Sequence, residues 1–171
     1  VFKSSLTTLV YDSKGENIIN LSAEKDSFYL ESDEIPYIVK RTFVTSEDRK
    51  FYEHKGVDYK AVLRAFVALI KNDGEVTQGG STITQQLARN IFLSHEVSLE
   101  RKVKEMFIAS ELEKAYTKDE ILEFYINNIY FGNGYYGIEA ASMGYFNKTI
   151  TELSNSEMIF LCAKEKKKFL C

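Results

Sequence analysis

Gly79-Gly80-Ser81-Thr82-Ile83-Thr84-Gln85-Gln86-Leu87-Ala88-Arg89-Asn90 is the stretch on which the reading of this chain turns. A glycine pair runs into hydroxyls and amides, and an amphipathic pattern begins only after them. Thr82 and Gln85 have the spacing of a capping box, in which each side chain answers the other's backbone N–H at the start of a helix. Glycine lets backbone amides approach a ligand closely, and unpaired amides at a helix N-terminus suit a phosphate. The stretch therefore predicts a helix from about Thr82 with an anion cradle at its start. On either side lie acidic segments, Glu47-Asp48-Arg49-Lys50-Phe51-Tyr52-Glu53-His54 and Arg101-Lys102-Val103-Lys104-Glu105. Acid, polar cradle, acid is a layout for chemistry.

Outward from that stretch the periodicity is helical. Tyr37 to Phe43 has helical spacing. Asp58 is placed to cap a helix whose Ala61, Val62, Ala65, Phe66, Leu69 and Ile70 form one apolar face, ending near Asn72-Asp73-Gly74. That stripe reads first as core, although Phe66, Leu69 and Ile70 would also serve as a surface dipping into lipid. Ser98 opens a longer helix with Val103, Met106, Phe107, Ala109 and Leu112 expected inward. Thr117-Lys118-Asp119-Glu120 is another capping box. Gly132, Gly134 and Gly137 predict a tyrosine-rich loop, followed by two short helices, the last capped by Ser154-Asn155-Ser156-Glu157. Ahead of Pro36 the pattern is β: Leu6 to Tyr11 reads as a strand, Asp12-Ser13-Lys14-Gly15 as a turn, and Ile18 to Leu21 as its partner. The fold class expected is mainly α with a small N-terminal β-hairpin. Residues 1–30 form a β element or linker and 31–171 the main domain.

A chain of 171 residues, 44% of them hydrophobic, builds one ordinary domain or slightly more. Its net charge of −3 argues against nucleic acid as a partner. The basic groups at Arg101, Lys102 and Lys104 and at Lys164, Lys166, Lys167 and Lys168 read as solvated faces. Cys162 and Cys171 form no metal-type pair, and a domain of this size needs no disulfide staple. No apolar run reaches membrane-spanning length. The first residue is Val1, so a segment of a longer protein is expected, with any anchor elsewhere.

Two acids stand out as chemical groups. Glu47 has aromatic neighbours in sequence, Phe51 and Tyr52, and a carboxylate in such surroundings can serve as a general base; an exposed acid pairing with Arg49 or Lys50 is the plainer reading. Glu105 falls one helical turn after Arg101, so the two share a face. That arrangement fits a surface salt bridge or a carboxylate held for substrate by cations. His54 and His95 lack metal-ligand spacing, and no nucleophile elbow or P-loop is present.

Taken together, these segments resemble the family 51 glycosyltransferases, the peptidoglycan polymerase domain of class A penicillin-binding proteins and monofunctional transglycosylases. Five stretches carry the resemblance in family order: Glu47 to Gly56, Gly80 to Asn90, Arg101 to Glu105, Lys118 to Asn127, and Gly137 through Ala140-Ala141 to Tyr145-Phe146. They cover roughly residues 8 to 161. The resemblance implies a lysozyme-like, two-lobed helical domain with a cleft, acting on lipid II at the outer face of the cytoplasmic membrane. It implies Glu47 as general base, with Glu105 as the second acid, orienting substrate or holding a divalent cation such as Mg or Mn. Asp48, Phe51, His54, Gly80, Ser81, Thr82, Gln85, Gln86, Arg89, Arg101 and Lys102 would line the substrate site, with Asn127 and Lys118 structural or peripheral. The implied partners are lipid II, the growing glycan strand, the membrane, a fused transpeptidase domain and cell-wall assembly proteins.

Two positions depart from the family pattern. Val97 stands where many relatives have a basic residue, and the tail from Ala163 to Cys171 replaces a proline-containing loop, so the C-terminal end is expected to be truncated or altered. A muramidase-type glycan hydrolase and a catalytically weak lipid II-binding module are the competing readings.

Overall fold

The computed structural model describes residues 8–11, 17–21, 28–71, 80–93 and 98–165. Strands β1 (Thr8–Tyr11) and β2 (Asn17–Leu21) pair antiparallel, with Thr8 opposite Leu21. The turn expected at Asp12 to Gly15 lies outside the described residues. Seven α-helices follow among the described residues: α1 (Tyr37–Glu47), α2 (Tyr59–Lys71), α3 (Ile83–Phe92), α4 (Leu99–Ala115), α5 (Lys118–Asn128), α6 (Ile138–Phe146) and α7 (Asn155–Glu165). A short 3-10 helix over Ile150–Glu152 joins the last two. The mainly α class with a small hairpin is what the periodicity predicts.

The helices begin where the side chains can satisfy their open amides. Asp58 Oδ1 accepts from the N–H of Lys60 and of Ala61, each at 3.0 Å. Thr82 and Gln85 form the reciprocal capping box, and Ser98 Oγ accepts from the Arg101 N–H. The Thr117 N–H donates to Glu120 Oε2 at 2.8 Å while Thr117 Oγ1 accepts from the Glu120 N–H. Each such cap contributes about 1 kcal/mol.

The chain divides into two compact units, one made of Val1–Thr42 with Ile126–Cys171 and the other of Phe43–Tyr125. In the first, Ile126, Ile129, Ile138, Ile150 and Leu161 are buried. The Asn127 amide pairs with the backbone of Leu30 in both directions at 2.8 Å, consistent with a structural role. In the second unit, Phe43, Phe51, Ile83, Leu87, Ala109, Ile121, Leu122 and Tyr125 form the core, and α3 packs along α4. The rings of Phe43 and Tyr125, the first and last residues of this unit, meet edge to face at 5.7 Å.

Two expectations are corrected. Val103 and Phe107 of α4 do not face inward: they are 66% and 67% exposed, and Leu99 on the same face is 88% exposed. The inward face is Glu105, Ala109 and Leu112. The contact on the Ala109 side is close: Gly56, at φ +89°, brings its turn so near α4 that a Cβ there would lie 2.7 Å from the Ala109 carbonyl oxygen. The tyrosine-rich stretch is also not a plain loop. Strands β3 (Tyr130–Gly132) and β4 (Tyr135–Tyr136) pair antiparallel across Asn133 and Gly134, both with positive φ. On α2, Ala61, Val62 and Ala65 are half-buried, whereas Leu63 and Val67 are exposed. The side chains of Phe66, Leu69 and Ile70, like residues 72–79, lie outside the described part. Among the described residues no helix is long and apolar enough to cross a membrane.

Candidate active site

Glu47 is the last residue of α1, half-buried, and the turn after it is fixed by the side chain that follows. Asp48 Oδ2 accepts from the Ile83 N–H at 3.1 Å and contacts His54 Nε2 at 2.8 Å. The Gly56 N–H donates to His54 Nδ1 at 3.1 Å, so Nδ1 is the acceptor and Nε2 carries the hydrogen given to Asp48. Phe51 is fully buried beneath this turn, with the Lys118 ammonium 4.5 Å from its ring centre. Lys118 also bonds Glu113 at 2.7 Å, which in turn accepts from Thr84 Oγ1 at 2.6 Å.

This geometry corrects the open anion cradle expected at the start of α3. The anion there is Asp48, supplied by the protein itself, and a carboxylate at a helix N-terminus is stabilised by the unpaired amides and the helix dipole. Thr82 Oγ1 accepts from the Gln85 N–H and donates to the Gly56 carbonyl at 2.6 Å, while Gln85 Oε1 accepts from the Thr82 N–H. Asp48, Thr82 and Gln85 are buried and committed to holding the Glu47 turn against α3. Gly80 is bare for a similar reason: a Cβ there would lie 3.3 Å from Ala65 Cβ on α2. Gly79 lies outside the described residues.

A recess of about 290 Å³ opens beside this framework, lined by Glu47, Gly80, Ser81 and Thr82 together with Ser46, Asp48, Arg49, Lys50, Asp58, Ala61 and Arg64. Apart from Ala61 and Gly80 the lining residues are polar or charged, and none is aromatic, so neither Phe51 nor Tyr52 lines the recess with Glu47. Ser46 Oγ is 3.4 Å from Glu47 Oε1, and Gln86 Nε2 donates to Glu47 Oε2 at 3.4 Å. The hydrogen bond from the Ala61 N–H, ahead of all other influences, holds the Asp58 carboxyl below the usual range. Arg49, Lys50, Asp58 and Arg64 were not among the expected site residues. Only the approach of α2 to Gly80 brings Arg64 to Glu47, and the glycine was the one available signal.

The second acid is not a surface partner. Glu105 has no exposed surface; its Oε2 accepts from Arg101 Nη1 at 2.8 Å and its Oε1 from Lys102 Nζ. Lys102 Nζ also donates to Ser81 Oγ at 2.8 Å, tying this pair to the edge of the recess. Arg101 is 13% exposed and Lys102 34%, so both cations keep an outer side. Two buried donors, Arg101 Nε and Gln85 Nε2, have no hydrogen-bond partner among the described residues. Arg89, in the last turn of α3, is half-buried. With each Glu105 oxygen engaged by a cation, the acid does not fit the ligand role suggested for a divalent ion. Among the described residues no group of three His, Cys, Asp or Glu side chains gathers to hold a metal. His95 and Val97 lie outside the described residues.

This helical unit thus carries a half-buried acid beside a recess lined largely by polar side chains, and a second acid held between two cations. The family model described as Transglycosylase matches residues 14–167, and the chain belongs to that family. It is 47% identical to Penicillin-binding protein 4 of Bacillus subtilis (strain 168) over 155 residues, covering 90% of this chain and 25% of that protein. With Penicillin-binding protein 1A of Aquifex aeolicus (strain VF5) the identity is 46% over 157 residues, 92% of this chain and 21% of the relative. Penicillin-binding protein 1A of Escherichia coli (strain K12) is 46% identical over 158 residues, 92% and 18% of the two chains. The chain thus spans a quarter or less of the length of these relatives.

Proposed function

We propose that this domain is a peptidoglycan glycosyltransferase that polymerises lipid II into glycan strands. The observation that carries the reading is Glu47, half-buried on a polar recess whose edge holds Ser81 and the Lys102 cation. In this reading Glu47 takes the proton from the 4-hydroxyl of the acceptor sugar. That oxygen forms a bond to the anomeric carbon of the donor from the opposite face. The bond from that carbon to the diphosphate breaks, and undecaprenyl pyrophosphate leaves with the electron pair, inverting the configuration. A diphosphate is a good leaving group, so neutralising its charge matters more than protonating it. Arg101, Lys102 and Arg89 supply cations, and the Ser81 hydroxyl at the edge of the recess is a further hydrogen-bonding group for such a ligand. No step requires a metal held by Glu105.

The muramidase reading needs a carboxylic acid that can protonate a sugar leaving group. Glu105, its two oxygens bonded to cations, is poorly suited to that role. A lipid II-binding module without turnover is the remaining alternative.

The same reading sets the domain at the outer face of the cytoplasmic membrane, where its lipid-linked substrate is held. The exposed Leu99, Val103 and Phe107 stripe supports contact with that surface. A fused transpeptidase domain and cell-wall assembly proteins are the further partners it implies. The test is to incubate the protein with fluorescent lipid II and resolve the products by gel. Long strands should form and should vanish in Glu47→Gln with lipid II binding retained. A variant that still polymerises sinks the base assignment, cleavage of preformed glycan would favour the hydrolase, and binding without turnover the module.

A further inference from the structure

We infer that Tyr125 is a positioning residue for Glu47, acting through the Gln86 amide; this rests on the glycosyltransferase reading for its kinetic consequences. Tyr125 lies in α5 with no exposed surface, so it cannot touch a substrate. Its ring is held edge to face against Phe43 of α1, and its hydroxyl donates to Gln86 Oε1 at 3.2 Å. The other end of that amide, Nε2, donates to Glu47 Oε2 at 3.4 Å. Gln86 is itself buried in α3. Three helices thus converge on one carboxylate through a single side-chain amide.

The direction of this chain of bonds follows from what each group can do. An ionised carboxylate only accepts, an amide donates at one end and accepts at the other, and a hydroxyl does either. Glu47 therefore requires the amide nitrogen, and Oε1 is left to face Tyr125, whose hydroxyl donates. Rotating the amide by a half turn would set two acceptors against each other at the Glu47 end. Without the Tyr125 hydroxyl, Gln86 Oε1 becomes a buried acceptor lacking this donor. The amide then gains by turning towards any other donor and drawing Nε2 away from Glu47. A general base depends on a fixed position more than on its presence, because misplacement of about 1 Å can cost on the order of 100-fold in rate.

The test uses Tyr125→Phe, which removes one oxygen and keeps the ring. With fluorescent lipid II as substrate, kcat should fall about ten-fold while KM stays within about two-fold. Gln86→Met should lower kcat as well, and the double variant should lose little more than either single one, since both break one chain of bonds. A second measurement is independent of turnover: the Gln86 side-chain amide resonances in 15N-labelled protein should move in Tyr125→Phe and in Glu47→Gln. Wild-type kcat in Tyr125→Phe, or a rise in KM alone, overturns the inference. So do amide resonances indifferent to both substitutions, which also decide the matter should Tyr125→Phe fail to fold, using Glu47→Gln alone. If the wild-type protein makes no glycan, the functional reading fails, while the resonances still decide whether the three side chains are coupled.

Discussion

Asp48 shows how much a single side chain can organise. One oxygen serves both the first amide of α3 and the His54 ring, and the ring in turn holds Gly56. Asp48→Ala would leave the Ile83 N–H and the His54 Nε2–H buried without that acceptor, a cost of about 1–3 kcal/mol. For a chain of this size that corresponds to a fall in melting temperature of roughly 2–4 °C per kcal/mol, measurable by calorimetry. Asp48→Asn, which keeps an acceptor oxygen, should lose less. An equal loss in both variants would show that charge at the helix start, not hydrogen bonding, is what Asp48 supplies. The sequence placed Asp48 in the right motif but could not assign this task, because its partner lies 35 positions away.

At the scale of the element, helix starts were legible and helix faces only in part: of the α4 residues expected inward, Ala109 and Leu112 are buried and Val103 and Phe107 are not. Caps are local: Asp58, Thr82, Ser98 and Thr117 each act within three residues, so spacing alone identifies them. Faces depend on what packs opposite. On α4 the apolar pattern pointed to Val103 and Phe107 as well as Ala109 and Leu112, whereas only the Ala109 side packs against the Gly56 turn and Val103 and Phe107 stay exposed. The cap of α7 gives a pH test. The Ser154 N–H first, then the Ser154 hydroxyl and Lys148, pull the Glu157 carboxyl from an ordinary 4.5 down to about 2. A lowered value means that the stabilisation is complete above the ordinary value and is lost as pH falls through the window from about 4.5 to about 2. Glu157→Gln should flatten that part of the melting-temperature profile. A profile unchanged between the two proteins would mean the cap does not contribute.

For the whole molecule, the informative surface includes Val103 and Phe107, which periodicity assigned to the core. Leu99, Val103 and Phe107 present a row of exposed apolar groups on α4, at a spacing of one helical turn. Replacing all three with serine should leave the melting temperature nearly unchanged, since nothing buried is removed. It should weaken binding to anionic phospholipid vesicles by well over ten-fold, read by cosedimentation, because each apolar side chain withdrawn from water contributes about 1.5–3 kcal/mol and about 1.4 kcal/mol is a factor of ten. A loss of stability without a loss of vesicle binding would place the row inside a protein contact. The candidate site was legible as a set of motifs, but its walls were not. Arg64 joins Glu47 only when α2 folds back over Gly80, a contact that no local pattern announces.

The edge-to-face contact of Phe43 with Tyr125 has a bearing on how this architecture can change. It closes the unit that carries Glu47 and Glu105 at its own two ends, so the intervening polypeptide departs and returns at one neck. Lengthening or shortening the connection between Lys71 and Gly80 need not move the rings at that neck. Such a topology behaves like an insert in a host, and termini that lie close together are what make inserts transplantable. Variation in the reach of the recess can accumulate between those two rings while the spacing of the remaining chain stays as it is.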